Sequence, residues 1–72
     1  MTKVYKLEGL DCAHCAGKME TKISKLKGVD DVNVDFLTQK MIVDANAVSE
    51  ELYNKMVEII HHLEPQVVVK AL

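Results

Sequence analysis

The chemistry of this chain centres on its two cysteines, Cys12 and Cys15, which are separated by two residues. A disulfide that closes so short a loop removes little entropy from the unfolded chain, so it would add little stability. The value of the pair must therefore be chemical rather than structural. In a reducing compartment, such a pair is most often a metal site or a redox pair.

An amphipathic helix is predicted to begin at the cysteine pair. Its apolar positions recur at helical spacing: Cys15, Met19, Ile23 and Leu26. The free N–H groups and the partial positive charge of about +0.5 at a helix N-terminus favour anions. Thiolates should therefore form more readily there than in a free cysteine, whose pKa is about 8.5. This setting suits a soft metal ion.

The cysteine pair alone gives an incomplete set of metal ligands. A structural zinc site is closed by protein ligands on every side, and the chain has no second cysteine pair. An incoming partner can complete an open site, which is the physical basis of metal handover. The sequence thus favours a domain that binds one thiophilic ion and passes it on.

The composition limits the chain to one domain with one core, because it has only 72 residues. A hydrophobic fraction of 49% excludes a disordered chain, and no apolar run approaches the ~20 residues of a transmembrane helix. A net charge of −2 with 4% aromatics argues against nucleic acid as a partner. Charged residues from Lys3 to Asp11 interrupt the N-terminal segment, so we expect no cleaved secretion signal and a cytoplasmic location.

Hydropathy patterns predict elements in the order strand, helix, strand, strand, helix, strand. Alternating polar and apolar residues mark the strands, helical spacing marks the helices, and Gly28 and Pro65 end the helical patterns. The predicted ranges are 3–8, 13–27, 32–36, 41–43, 49–62 and 67–69. This order is typical of a duplicated βαβ-type unit in an α+β sandwich, with two antiparallel helices on one face of a four-stranded sheet.

This topology gathers three connecting segments at one end of the molecule. They are the loop 9–14, the hairpin turn 37–39 and the connection 61–65. The start of the first helix then lies beside the end of the second. Any site built on Cys12 can therefore take further side chains from these three segments only.

The segment from Gly9 to Ala16 reads G-L-D-C-A-H-C-A, and it resembles the G-x-x-C-x-x-C-A signature of heavy-metal-associated domains. Residues 25–29 and 32–36 are similar to the family's L-x-G-V and V-x-V patterns, so the resemblance extends over one domain, 1–72. It implies a ferredoxin-like βαββαβ fold. The family includes copper chaperones, periplasmic mercury-binding proteins and the amino-terminal domains of P-type ATPases that export copper, zinc, cadmium or lead.

The residues before the first cysteine depart from the copper members of the family. Copper domains usually read G-M-T/S-C, whereas this chain has Leu10 and Asp11 before Cys12, similar to the zinc, cadmium and lead pump domains. A carboxylate adds a hard oxygen and a negative charge, which suits those divalent ions better than linear two-thiolate Cu(I). The resemblance therefore implies that Asp11 is a ligand, although it could instead cap the helix.

His61 is the remaining predicted ligand, because it falls in the connection near the site where some cadmium-type members carry an acidic ligand. The alternative is an exposed histidine at a helix C-terminus, and solvent exposure is also the expectation for His62 and His14. The methionines on apolar faces are predicted to pack in the core rather than bind metal: Met19, Met41 and Met56.

Together these features predict a monomeric, non-catalytic domain that binds zinc, cadmium or lead. It would transfer the ion to a partner protein or to the transport site of a metal-exporting P-type ATPase. A Cu(I) chaperone of the same fold is the alternative. A thiol-disulfide oxidoreductase fits less well, because thioredoxin-like domains typically need about 100 residues and a proline facing the disulfide. A structural zinc module would be unfolded without metal, whereas the valine, isoleucine and leucine content predicts a folded metal-free protein.

Overall fold

The computed structural model describes residues 2–72 and has the predicted elements in the predicted order. They are β1 Thr2–Glu8, α1 Ala13–Ser24, β2 Val29–Asp35, β3 Lys40–Ala45, α2 Glu50–Leu63 and β4 Val68–Ala71. Ser49 caps α2 as its side chain accepts a hydrogen bond from the N–H of Leu52 at 3.1 Å. Within residues 2–72, no helix combines the length and apolarity needed to cross a bilayer.

The strands form one antiparallel sheet in the order β2-β3-β1-β4. In its centre, Tyr5 of β1 pairs with Met41 of β3 on one side and with Ala71 of β4 on the other. The two helices contact each other, and the alternation of the strands turns their apolar side chains inwards. This architecture confirms the predicted ferredoxin-like α+β sandwich.

The core lies between the sheet and the helices. The predicted packing role of the methionines is confirmed, since each is at most 1% exposed: Met19, Met41 and Met56. Of the aromatic residues, Tyr5 is buried, whereas Phe36 and Tyr53 are partly exposed and pack against the core from its edge. The rings of Tyr5 and Tyr53 lie 5.7 Å apart, so Tyr53 extends the core towards the surface.

Helix α1 ends at Ser24, earlier than predicted. Beyond it the hydrogen bonds tighten, with the N–H of Leu26 donating to Ile23 O at 3.0 Å and the N–H of Val29 to Leu26 O at 3.2 Å. Gly28 then adopts a φ of +98°, a left-handed conformation that turns the chain into β2. Leu26 remains a partly buried core residue, so its apolar spacing could not distinguish the helix from this turn.

Strand β4 begins at Val68, although the sequence places Val67 in it. The N–H of Val67 donates to Glu64 O at 3.1 Å and closes a turn after α2. Its side chain is nevertheless only 1% exposed. Hydrophobic character thus predicted the burial of Val67 correctly but not its place in a turn.

The three connecting segments meet at one end of the molecule, as predicted. The N–H of Leu7 donates to Gln39 O at 2.7 Å, and Gln39 Nε2 donates to Leu10 O at 2.8 Å. From the opposite side, Gln66 Nε2 donates to Gly9 O at 3.4 Å. The hairpin turn and the α2–β4 connection therefore both hold the loop that leads to the cysteines.

Candidate metal site

Both cysteines lie at the start of α1, as predicted, with Cys12 as the N-cap residue and Cys15 in the first turn. Cys12 has an extended backbone (φ −123°, ψ 108°), and its Sγ accepts a hydrogen bond from the N–H of Cys15 at 3.3 Å. Both are half-buried free thiols. A sulfur thus occupies the capping position that an oxygen usually fills, so both sulfurs lie at the positive end of the helix.

Glu64 is the third potential ligand at this end of the molecule. Ligand atoms of Cys12, Cys15 and Glu64 all lie within 4.8 Å of one another. Glu64 is the C-cap of α2, where its N–H donates to Ile60 O at 2.8 Å. This arrangement lets a single ion contact two sulfurs and one carboxylate.

The two carboxylate oxygens of Glu64 have different surroundings. Oε2 accepts a hydrogen bond from Gln66 Nε2 at 2.7 Å. Oε1 is buried and accepts no hydrogen bond from an N–H or O–H group among the residues that the structure describes, and the thiol of Cys15 is its neighbour. A buried acceptor without a partner costs about 1–3 kcal/mol, and an ion is one way to satisfy it. The donor set therefore fits a cation beside the two sulfurs.

Cys15 is the thiol most affected by these neighbours. Its hydrogen bond with Cys12, then burial, then the negative charges of Cys12 and Glu64 and a hydrogen bond with the Glu64 carboxylate together raise the pKa of Cys15 to about 11. The raised pKa of Cys15 is the opposite of the predicted easing of thiolate formation at a helix N-terminus, because the hydrogen bond with Cys12, burial and the nearby negative charges outweigh the helix. At neutral pH the metal-free protein therefore keeps the Cys15 proton, which a metal ion must displace.

The other two predicted ligands lie outside this group of three. Asp11 is solvent-exposed on the loop before the cysteines. His61 is also exposed, and its Nε2 lies 2.8 Å from the carbonyl oxygen of Val67, to which it donates a hydrogen bond. His14 and His62 are exposed, as expected. Ligation by Asp11 and His61 stays a prediction.

Sequence patterns do not single out Glu64. They end the second helix near His62, which leaves the histidines as the side chains expected beside the cysteines. In the structure α2 continues to Leu63, and the side chain at its end is that of Glu64. The signal in the sequence is an acidic residue directly before Pro65, inside the connection predicted to border the site.

The sequence matches the heavy-metal-associated domain family over residues 4–65. It is 49% identical over 49 residues to a probable cadmium-transporting ATPase of Staphylococcus aureus. It is 48% identical over 42 residues to the zinc/cadmium/lead-transporting P-type ATPase of Escherichia coli strain K12. These matches cover 68% and 58% of this chain, but only 6% of the length of either ATPase.

The fold is similar to that of the yeast copper transporter domain, which has been solved in apo and Cu(I)-loaded states. The TM-score is 0.75 at 20% identity, over 99% of this chain and 93% of that domain. At this identity the likeness shows the fold alone. The family match, in contrast, spans most of the sequence and includes the cysteine pair. The chain therefore belongs to the heavy-metal-associated domain family, as a metal-binding module with a Cys-x-x-Cys site.

Proposed function

We propose that this domain binds one divalent ion, zinc, cadmium or lead, and passes it to a partner protein. The proposed ligands are the thiolates of Cys12 and Cys15 and one oxygen of Glu64. The observation that carries the proposal is the buried Oε1 of Glu64, which no N–H or O–H group within residues 2–72 satisfies and which belongs to the same cluster as both sulfurs. An oxygen beside two sulfurs suits borderline divalent ions.

The charge of this donor set favours divalent ions over Cu(I). Two thiolates and a carboxylate are all anionic once the thiols have lost their protons, which matches a doubly charged ion. Cu(I) is softer and is satisfied by two thiolates without an oxygen. The relatives from Staphylococcus aureus and Escherichia coli are named for cadmium and for zinc, cadmium and lead transport. Cu(I) delivery on the same fold remains the alternative function.

Asp11 is proposed as an additional oxygen donor to the same ion. Its side chain is exposed and adjoins Cys12 in the chain, so it can turn towards an ion held by the sulfurs. His61 can join the ligands only when its Nε2 leaves the carbonyl oxygen of Val67. Its proposed contribution is therefore smaller than that of either carboxylate.

The proposed transfer rests on the openness of the site. The three clustered residues are one ligand short of a tetrahedral shell, so a thiolate or carboxylate of the partner can bind the ion before the first ligands leave. The chain corresponds to 6% of the length of the two ATPases. We propose that the receiving group is the transport site of such an ATPase or another protein on the cytoplasmic side, and that the domain itself acts without catalysis.

A basic groove along α1 and its C-cap residue, with one end next to the cysteines, is the proposed docking face for this exchange. It is lined by Lys18, Lys22 and Lys25, with His14 at the end nearest the site. None of the three lysines makes an ion pair with another residue in the described part of the chain. An acidic surface on the partner would match this groove and make the exchange rate depend on salt.

A competition titration of the reduced protein with Cu(I), Zn(II), Cd(II) and Pb(II) tests the proposal. X-ray absorption spectroscopy then counts the sulfurs and oxygens around each bound ion. We expect two sulfurs and at least one oxygen around the divalent ions, and sulfur alone around Cu(I). The double variant Cys12→Ser, Cys15→Ser is the control and should lose all of this binding. The proposal is refuted if the reduced wild-type protein takes up none of the divalent ions.

A further inference from the structure

Gln66 holds the carboxylate of Glu64 from the side away from its buried oxygen. Its Nε2 donates to Glu64 Oε2 at 2.7 Å and lies 3.4 Å from Gly9 O, which is the longer and weaker contact. Both partners can only accept hydrogen bonds, so the amide nitrogen of Gln66, and not its oxygen, must face them. The amide therefore links the acidic side chain to the loop that carries the cysteines.

The position of Gln66 follows from the turn between α2 and β4. The N–H of Val67 closes that turn on Glu64 O at 3.1 Å, and Val67 is buried while Gln66 lies on the surface. Gly9 has a φ of +88°, and a Cβ added there would lie 3.5 Å from the backbone oxygen of Gln66. The connection thus packs closely on the cysteine loop, which keeps the amide within reach of both partners.

The hydrogen bond makes the two oxygens of Glu64 unequal as metal ligands. Oε2 accepts the amide hydrogen bond, whereas Oε1 is buried and accepts none from an N–H or O–H group among residues 2–72. A carboxylate that gives both oxygens to one ion must turn a lone pair of Oε2 towards that ion, and the ion then competes with the amide for Oε2 and weakens the charge-assisted bond. In this setting the arrangement with one metal-bound oxygen, Oε1, is the one that keeps every hydrogen bond.

We propose that Gln66 is a positioning and selectivity residue that limits Glu64 to one metal-bound oxygen. The inference rests on the proposed function, in which Glu64 is a ligand. Zinc prefers four ligands in a tetrahedron and is satisfied by a single carboxylate oxygen. Cadmium and lead are larger and readily accept both oxygens of a carboxylate. Gln66 therefore shifts the preference of the site towards zinc within the group of divalent ions.

The test is the variant Gln66→Met, which keeps the length of the side chain and removes the donor. Zinc and cadmium affinities are measured by competition with a chromophoric chelator, and cadmium-loaded protein is studied by X-ray absorption. We expect zinc affinity to fall about tenfold, the low end for loss of an outer partner of a metal ligand, since Gln66 is exposed. Cadmium affinity should change less, and cadmium should gain a second carboxylate oxygen.

Gln39→Met is the matched control, because the chain's only other glutamine also braces the cysteine loop but does not touch Glu64. It should leave the zinc-to-cadmium ratio and the oxygen count unchanged. Gln66→Arg, which restores a donor, should recover the wild-type ratio. The inference is overturned if Gln66→Met has the same zinc-to-cadmium affinity ratio and the same oxygen count as the wild type.

Failure of the inference can be told apart from failure of the proposed function. If wild-type protein binds no divalent ion, or if Glu64→Gln binds zinc and cadmium as the wild type does, the proposed ligand set itself is wrong. If Glu64→Gln weakens binding while Gln66→Met keeps the wild-type selectivity, only the role of Gln66 is wrong.

Discussion

At the scale of single residues, a thiolate at Cys15 shares a small volume with Cys12 and with the carboxylate of Glu64. Without metal, the hydrogen bond with Cys12, burial and these neighbouring charges raise the pKa of Cys15 to about 11. With a divalent ion between them, the same charges become ligands, and the cost of bringing them together is offset by the ion. The site is thus unfavourable for free thiolates and favourable for a metal, which makes ion binding and proton release two sides of one event.

The stability of the metal-free protein should fall as the pH rises from about 9 towards about 11. In that window the unfolded chain has lost the Cys15 proton, because its thiol has the ordinary pKa of a free cysteine, whereas the folded protein keeps it. The unfolded state then binds fewer protons, so stability decreases with pH. Urea unfolding at several pH values under reducing conditions measures this, with Cys15→Ser as control. An equal loss of stability in the control would contradict the prediction.

Loss of either carboxylate should weaken the binding of divalent ions and leave the binding of Cu(I) nearly unchanged. Glu64→Gln should lower the affinity for zinc and cadmium by about 10- to 100-fold or more. Loss of an outer partner of a metal ligand typically has an effect of this size, and Glu64 is itself a proposed ligand. Asp11→Ala should weaken the same ions less, because Asp11 is exposed and outside the clustered group. Competition titrations of both variants with Cu(I) in parallel provide the control, since Cu(I) binding should be nearly unchanged. Equal losses for every metal would argue against both carboxylates.

At the scale of elements, the sequence predicts the features that short-range patterns determine. It does not predict the exact helix ends or the directions of the side chains there. The Cys-x-x-Cys pair, the element order and the buried methionines follow from short-range patterns, and all three are confirmed. The contact of Glu64 with the cysteines depends on the direction of its side chain at the C-cap of α2, which no local pattern reports. Helix ends are set by hydrogen bonds that apolar spacing does not report, which is also why α1 was predicted too long.

His61 joins two elements, because its Nε2 binds the carbonyl oxygen of Val67 across the turn that contains Glu64. We expect His61→Ala to lower the free energy of unfolding by about 1 kcal/mol, the usual net value of one hydrogen bond. Divalent affinity should fall modestly. Chemical denaturation and zinc titration measure the two effects, with the exposed neighbour substitution His62→Ala as control. An unchanged affinity and an unchanged order of metal preference would exclude His61 from the ligands.

At the scale of the whole molecule, the core and the metal site are separate structures. The buried residues of the described chain are all hydrophobic, and they lie between the sheet and the helices. The proposed ligands are half-buried or exposed and come from the loop and the helix ends at one end of the molecule. The stability of the fold thus comes from the core. The metal site can therefore bind and release an ion without unfolding the domain.

The metal-free domain should therefore be folded and should unfold cooperatively. After treatment with a chelator and a reductant, the amide signals in its NMR spectrum should stay dispersed. Met56→Ala removes a core side chain and should lower the free energy of unfolding by about 2–5 kcal/mol, with little change in zinc affinity. Added zinc should then raise stability in proportion to the logarithm of its concentration, by about 2.7 kcal/mol at 100 times Kd. The Cys12→Ser, Cys15→Ser variant should stay folded and lose this increase. If the amide signals of the metal-free protein are not dispersed, the domain is instead a structural zinc module, in which the ion rather than the core supplies the folding energy.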